Sequence, residues 1–366
     1  MRKLIGIECI LVALFFLGAC QEDVINKMPE NYVNRTIIVY MVADNDLFAD
    51  AQNNIEKIKR SYTGNDVNLL VFADIRNENP YLLKVNKKTY EIIKSYMELD
   101  STDPVVLRDI LSEIIEMYPA KELGLILWSH GASWMPAENC LRSFGDDNGK
   151  QMNIPDLAES LPVTFDFILF DACLMGSVEV AYELKDKTDY LIAPSTETIA
   201  EGFPYKQIIP KLLQAKINYN AVAQTYFNYY NSQSGAYRSA TVSVVETRYL
   251  SGLASNMKQL CENNPANLQT FDRSSVQRLD VYNEQYVFDL LDFVNKIFPN
   301  ANKDDFTAQL NKAVQCKYHT PQFILAYNIN TYCGLSCYIP LSSRSDLTAY
   351  YKTLKWYRDA GLSNLF

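Results

Sequence analysis

Apolar runs of strand length alternate with helical stretches in the first half of this chain, and each run ends at polar residues. The clearest runs are Thr36 to Asp44, Asp66 to Asp74, Leu123 to Gly131 and Phe165 to Leu174. Between them, apolar residues recur at the three- and four-residue spacing of amphipathic helices. Strands that are apolar on both faces and alternate with helices form parallel sheets covered on both sides. The sequence therefore predicts an α/β fold with a mainly parallel central sheet.

The remaining predicted elements complete this architecture. We expect a hairpin of Tyr81–Val85 and Tyr90–Tyr96, a long irregular loop over 132–151, and strands over 189–197 and 240–246. Helices are predicted over 47–61, 104–118, 154–161, 175–184, 205–215, 220–232, 249–262, 276–298, 304–316 and 344–358, with a late strand over 335–341. The region after residue 248 is therefore predicted to be mostly helical.

The N-terminus has the pattern of a targeting segment. Arg2 and Lys3 precede a mostly apolar stretch, and Leu17-Gly18-Ala19-Cys20 resembles the signal of bacterial lipoproteins, which are cut before a cysteine that then carries lipid. We predict a signal peptide over 1–19, a lipidated tether over 20–34 and lipid on Cys20. A plain secretory signal or a membrane anchor is the alternative. The predicted location is the bacterial cell envelope, lipid-anchored at the outer membrane or cell surface.

We expect the mature chain to consist of a core over 35–250 and a C-terminal helical subdomain over 251–366, which packs on the core and contains the late strand. The net charge of −9 argues against nucleic acid as a partner, because phosphate binding needs a dense Lys/Arg surface.

Cys333 and Cys337 lie four residues apart among apolar neighbours, and only His319 is close enough in sequence to serve as a third metal ligand. Buried inert thiols are favoured over a disulfide or a metal site.

Two chemically capable side chains follow two of the predicted strands. His130 comes at the end of one strand and is followed by Gly131, whose backbone can approach a substrate and offer its N–H. Cys173 occupies the equivalent place after the next core strand. Since the carboxyl ends of parallel strands meet at one rim, the imidazole and the thiol are expected to lie together. A neighbouring imidazole and the predicted helix N-terminus near Met175 would both favour the thiolate.

Three segments, Tyr40 to Leu47, Leu125 to Gly131 and Phe170 to Met175, resemble the clostripain family of cysteine peptidases (peptidase family C11), in the clan of caspases and gingipains. The resemblance implies a caspase-like three-layer α/β/α sandwich with an added C-terminal helical region. It implies cleavage after Arg or Lys, with His130 as general base and acid and Cys173 as nucleophile. Gly131 and Cys173 would supply the backbone oxyanion donors, and no third catalytic residue or cofactor is required.

Selectivity for a basic side chain requires an acidic pocket, because an unpaired buried guanidinium is costly. Asp171, two residues before the nucleophile, is the first candidate, with a strand-end or helix-capping role as its alternative. Glu201 is the second candidate, and Glu197 lies behind it.

The loop between the histidine and the cysteine carries two further hypotheses. Family members can be cut in this region, so Arg142 and Lys150 are candidate self-cleavage sites within 139–151; an ordinary solvated loop is the alternative. Asp146, Asp147 and Asn148 suggest calcium, which some relatives need. However, their spacing lacks the ligand ladder of a helix-loop-helix site, and a solvated acidic turn is favoured.

These observations predict a lipid-tethered cysteine endopeptidase that acts on proteins or peptides with Arg or Lys before the scissile bond. A thiol amidase or transpeptidase acting on a cell-wall substrate with the same dyad is one alternative. A non-catalytic surface-binding lipoprotein of the same fold is the other.

Overall fold

The computed structural model of the protein describes residues 32–64, 66–87, 89–136, 143–268 and 270–365. These residues belong to one compact unit, Asn31–Phe366. The predicted signal peptide, Cys20 and Arg142 lie outside the described residues. Within the described ranges, no helix has both the length and the apolar character needed to cross a bilayer.

Nine strands in the described part of the chain form one sheet, in the order β12-β10-β9-β8-β5-β1-β2-β3-β4. They are β1 (Val33–Ala43), β2 (Val67–Ile75), β3 (Tyr81–Asn86), β4 (Thr89–Ser95), β5 (Ala120–Trp128), β8 (Phe165–Asp171), β9 (Thr188–Ala193), β10 (Thr241–Glu246) and β12 (Val314–His319). The five central strands, β9 to β2, are parallel. Antiparallel strands extend both edges.

Helices cover both faces of this sheet, which explains why its central strands are apolar on both sides. Alternate residues of β1, such as Tyr40 and Met41, belong to two separate buried clusters. One face is covered by α1 (Phe48–Ser61), α5 (Tyr205–Leu212) and α6 (Tyr219–Asn231). The other is covered by α2 (Pro104–Met117), α3 (Ile154–Ser160), α4 (Val178–Glu183) and α7 (Leu250–Asn263). The predicted three-layer α/β/α sandwich is confirmed.

The predicted 132–151 loop contains a short hairpin. Its strands are β6 (Phe144–Asp147) and β7 (Lys150–Met152), and the turn between them contains Asn148 and Gly149 with positive φ. The Gly145 N–H donates to the His130 carbonyl at 3.1 Å, and the Ala132 N–H donates to the Ser143 carbonyl at 3.0 Å. The hairpin thereby holds the backbone at His130 and just after it.

The C-terminal third differs most from expectation. Its elements are β11 (Val287–Asp289), α8 (Leu290–Ile297), α9 (Asp304–Ala313), β12, β13 (Gln322–Phe323), β14 (Tyr327–Asn328), β15 (Ser336–Tyr338), α10 (Ser345–Tyr351) and α11 (Lys355–Asp359). The helix predicted over 276–298 is reduced to α8, because the Asp280 carboxylate accepts the N–H groups of Tyr282, Tyr286 and Val287 in a non-helical turn.

The helix predicted over 304–316 ends at Ala313, and β12 then pairs antiparallel with β10 as the edge strand of the main sheet. The late strand β15 pairs with β11 in a separate two-stranded sheet. The main sheet therefore includes a strand from beyond residue 250. The domain boundary expected at residue 250 does not separate the sheet from the C-terminal region.

Candidate active site

His130 and Cys173 lie at equivalent positions just beyond the ends of two neighbouring parallel strands. Trp128 at the end of β5 is in register with Asp171 at the end of β8, and each of the two functional residues comes two positions later. Both residues line one small cavity of about 120 Å³, with Asp171 and Thr198 also in its wall. The structure thus brings together the two residues that the sequence predicted would meet.

Gly131 allows the two strand ends to approach closely. A Cβ atom at this position would lie 2.7 Å from the Cys173 carbonyl oxygen and 3.1 Å from the Ala172 Cβ. The Cys173 carbonyl is part of the backbone and cannot move aside. Any side chain at position 131 would therefore push the segment carrying His130 away from the segment carrying Cys173.

Asp46 contacts the imidazole directly. Its Oδ1 lies 2.6 Å from His130 Nε2, and the His130 side chain is 19% exposed. No side chain caps α1, and the Asn45 Oδ1 accepts the Leu47 N–H just before the helix begins. With a proton on Nε2, the hydrogen bond to Asp46 fixes the ring orientation and leaves Nδ1 able to accept a proton.

Sequence reasoning missed this contact. The signal was available, since Asp46 follows β1 and β1 lies beside β5, which carries His130.

A backbone amide from a distant loop reaches the Cys173 sulfur. The Thr198 N–H donates to Sγ at 3.2 Å. An amide donor favours the thiolate over the thiol.

The helix after Cys173 begins later than predicted. Leu174 has φ +65°, and Gly176 passes so close to the Pro194 carbonyl that an added Cβ would lie 2.9 Å from it. As a result α4 starts only at Val178, where the Ser177 Oγ accepts the Val180 N–H. Cys173 is five residues before this helix, and the Thr198 amide provides the stabilising dipole that we had assigned to the helix terminus.

Asp171 is buried in the wall of the cavity beside Cys173. Its Oδ2 accepts the Phe203 N–H at 3.0 Å and the Tyr205 hydroxyl at 2.8 Å. Among the described residues, its Oδ1 has no hydrogen-bond partner. Burial raises the pKa of Asp171 to about 6, and the two donors oppose that shift. The side chain therefore bonds to residues at the start of α5 and also lines the cavity.

Gly202 is required for this arrangement. It has φ +66°, and a Cβ there would lie 2.5 Å from the Asp171 Oδ2.

The other two acidic candidates lie elsewhere. Glu201 lines a cavity with Asp50 and Lys57 of α1, and both Glu201 and Glu197 line a further cavity that adjoins the one containing Cys173. Burial raises the pKa of Asp50, and the Glu201 charge raises it further. Glu197 points toward the C-terminal region, where it accepts the Val281 N–H at 2.9 Å, and burial raises its pKa to about 7. Of the three candidates, Asp171 alone lines the cavity that contains Cys173.

The candidate processing and calcium residues lie around the β6–β7 hairpin. Lys150 is exposed, with its Nζ 3.2 Å from Asp100 Oδ2. The Asp146 Oδ1 accepts the Gly149 N–H, which closes the turn. Asp147 instead places a carboxylate oxygen within 4.8 Å of ligand oxygens from Asp44 and Glu98. These three side chains have the oxygen donors that calcium prefers, but 146–148 is not itself a ligand loop.

Comparison with known proteins shows a family similarity over most of the chain. Residues 39–357 match the model of the clostripain family. Clostripain from Hathewaya histolytica is 26% identical over 234 residues, which make up 52% of this chain and 44% of clostripain. The match thus spans less than half of clostripain's length.

Three solved structures are similar over nearly their whole length. An inactive zymogen of a C11 protease from Parabacteroides distasonis is 31% identical, with a TM-score of 0.80 over 90% of this chain and 98% of that one. Iotapain, a secreted C11 cysteine protease from Bacteroides thetaiotaomicron, is 27% identical, with a TM-score of 0.82 over 90% and 99%. A secreted C11 cysteine protease from the same species, bound to an irreversible peptide inhibitor, is 30% identical, with a TM-score of 0.81 over 91% and 100%.

Proposed function

The chain belongs to the clostripain family of cysteine proteases, and we propose that it is an endopeptidase that cleaves peptide bonds after Arg or Lys. The observation that carries this proposal is the placement of Asp171 in the cavity that His130 and Cys173 line. A nucleophile, a base and a buried carboxylate in one cavity are the parts that such a reaction needs.

In the proposed reaction, His130 takes the proton of the Cys173 thiol, and the sulfur attacks the carbonyl carbon of the scissile bond. The oxygen of the resulting tetrahedral intermediate accepts hydrogen bonds from the Gly131 and Cys173 N–H groups. The C–N bond then breaks, and the imidazolium gives its proton to the leaving amine. His130 next takes a proton from water, whose oxygen attacks the thioester and releases the acid and the Cys173 thiol.

Asp171 is the group proposed to select the basic side chain. A charged carboxylate at the wall of a small cavity attracts a guanidinium or an ammonium ion, and the free Oδ1 can accept its N–H. Glu201 lies outside this cavity, which makes it the weaker candidate.

The test is turnover of fluorogenic peptides that differ only in having Arg, Lys or Asp before the scissile bond. We expect turnover of the Arg and Lys peptides and none of the Asp peptide, and we expect Cys173→Ala to abolish turnover. Failure to cleave the basic peptides, together with release of ammonia or exchange of amines on cell-wall amides, would contradict the proposal in favour of an amidase or transpeptidase. Unchanged biological function of Cys173→Ala would favour a non-catalytic binding protein.

We also propose self-cleavage within 139–151, after Arg142 or Lys150. The exposure of Lys150 supports access by a second protease molecule. Mass spectrometry of the wild type and of Cys173→Ala after incubation would test this, because only the wild type should be cut.

The proposed location is the cell envelope, with lipid on Cys20. Two of the similar structures come from proteases described as secreted, which supports export. Metabolic labelling with a fatty acid should mark the wild type and not Cys20→Ser.

The proposed chemistry uses only groups of the chain itself. Calcium is the less favoured alternative to a solvated acidic turn, and Asp44, Glu98 and Asp147 are the side chains that would hold such an ion. If they do, calcium should raise the melting temperature of the wild type and not that of Glu98→Gln.

A further inference from the structure

A second, larger cavity adjoins the one that contains Cys173. It has a volume of about 480 Å³ and shares Thr198, Ile199 and Ala200 with the Cys173 cavity. We call its apolar wall the apolar shelf: Ile199, Ala200, Tyr237, Phe323 and Ile324. Glu197, which accepts the Val281 N–H, and Glu201 also line this cavity. A peptide that fills the Cys173 cavity with one side chain can therefore contact the shelf with a neighbouring side chain.

Two large apolar side chains are exposed at the shelf and beside it. Tyr237 is 57% exposed, and Leu325, next to Ile324, is 63% exposed. Apolar groups that face solvent together beside a cleft are typical of surfaces that bind a ligand.

The backbone of the shelf is strained at two successive residues. Ile324 has φ +37° and Leu325 has φ +62°, in the region that β-branched side chains seldom adopt. The Ile324 N–H donates to the Ser239 Oγ at 2.6 Å, and the Ala326 N–H donates to the Phe323 carbonyl at 2.8 Å, so the turn is fixed. Strain that the surrounding structure maintains at the wall of a cleft points to a binding role.

The segment that separates the two cavities can receive an extended peptide. Thr198 uses its N–H on the Cys173 sulfur, whereas the N–H groups of Ile199 and Ala200 have no hydrogen-bond partner among the described residues. A peptide strand laid along this segment would pair with one of these two groups, because successive N–H groups of an extended chain point in opposite directions. Successive side chains of a strand point to opposite sides. With the basic side chain in the Cys173 cavity, the preceding side chain faces the shelf.

We infer that the apolar shelf is a specificity subsite that binds a bulky apolar side chain at the position immediately before the Arg or Lys of the substrate. This inference rests on the proposed function. Burial of a leucine-sized side chain favours the apolar peptide by roughly tenfold or more over one with glycine at that position.

The experiment uses the intact protein and peptides of the form acetyl-Ala-X-Arg-coumarin and acetyl-X-Ala-Arg-coumarin, with X as Leu, Gly or Asp. The variants are Ile324→Gly and Tyr237→Ser, with Tyr90→Ser as the matched control. Tyr90 is also an exposed tyrosine, but it lies on β4 at the opposite edge of the sheet. Glycine adopts positive φ freely, so Ile324→Gly removes the side chain without disturbing the turn.

We expect the wild type and Tyr90→Ser to show at least a tenfold Leu-over-Gly ratio of kcat/KM in the first peptide series. In Ile324→Gly and Tyr237→Ser the ratio should fall to within about threefold, mainly through a loss of kcat/KM for the Leu peptide. A ratio near one in the wild type, a preference confined to the second series, or an equal loss for Leu and Gly would each overturn the inference. Absence of turnover for every Arg peptide would instead contradict the proposed function.

Discussion

At the scale of single residues, the proposed chemistry involves two carboxylates with opposite surroundings. Asp46 is largely exposed and bonds to His130, whereas Asp171 is buried and bonds to the start of α5. The first is placed to orient the base and the second to hold a charge in the pocket. Their effects on kinetics should therefore differ.

For Asp46→Asn we expect kcat to fall by roughly 10- to 100-fold with KM nearly unchanged, because the imidazole loses the group that fixes its orientation. Alkylation of Cys173 by iodoacetamide should slow in parallel, and Asp46→Glu should restore part of both rates. An unaltered alkylation rate in Asp46→Asn, with a normal melting temperature, would show that Asp46 does not position the base.

For Asp171 we expect a pH-dependent choice between charged and neutral side chains. Since burial raises the pKa of Asp171 to about 6, the carboxyl group loses its charge as the pH falls below that value. The ratio of kcat/KM for an Arg peptide over its citrulline analogue should therefore fall between pH 8 and pH 5. In Asp171→Asn it should be low at every pH, by roughly 100-fold relative to the wild type at pH 8. A ratio that does not vary with pH in the wild type would rule out Asp171 as the selecting group.

At the scale of elements, the β6–β7 hairpin links the acidic ends of the strands to His130. The Gly145 N–H holds the His130 carbonyl, and the Asn148 N–H donates to the Asp44 carbonyl at 2.9 Å. Beneath this hairpin, Ser101 donates its hydroxyl to Asp74 and its N–H to Asp147. Because acidic groups are buried beneath the hairpin, the stability of the protein should depend on pH.

Burial, with the nearby charge of Asp147, raises the pKa of Asp74 from 3.8 to about 7. The folded state therefore binds this proton more tightly than the unfolded state, and the stability that it contributes is full below about pH 4 and lost as the pH rises through about 7. Asp74→Asn should thus be more stable than the wild type at pH 8, by about 1–3 kcal/mol, with a smaller difference at pH 5. Urea unfolding at the two pH values measures this, and an equal difference at both would contradict it.

At the scale of the whole molecule, the C-terminal region supports the helix that follows the nucleophile. The buried Glu179 of α4 accepts the Tyr338 N–H at 2.9 Å and the Tyr351 hydroxyl at 3.0 Å. The Glu183 carboxylate also accepts the Lys355 N–H. The region that we predicted as a packing subdomain therefore holds α4 in place and adds β12 to the sheet.

Glu179→Ala should destabilise the protein by about 2–4 kcal/mol, because it leaves two buried donors without an acceptor. Burial raises the pKa of Glu179 to about 7, so the neutral isostere in Glu179→Gln should cost much less. Thermal unfolding near pH 7 compares the two variants. Equal losses would mean that packing volume, and not the hydrogen bonds, accounts for the effect.

The sequence by itself determined the family, the parallel core of the sheet, and the placement of His130 and Cys173 at one rim. Those features depend on local patterns, since an apolar run defines a strand and parallel pairing brings strand ends together. Only the tertiary structure decided that Asp46 contacts the imidazole, that the Thr198 amide reaches the sulfur, and that Asp171, not Glu201, lines the pocket. It also decided that β12 joins the sheet. These contacts join segments far apart in the chain, and their geometry depends on how loops pack, which no local pattern specifies.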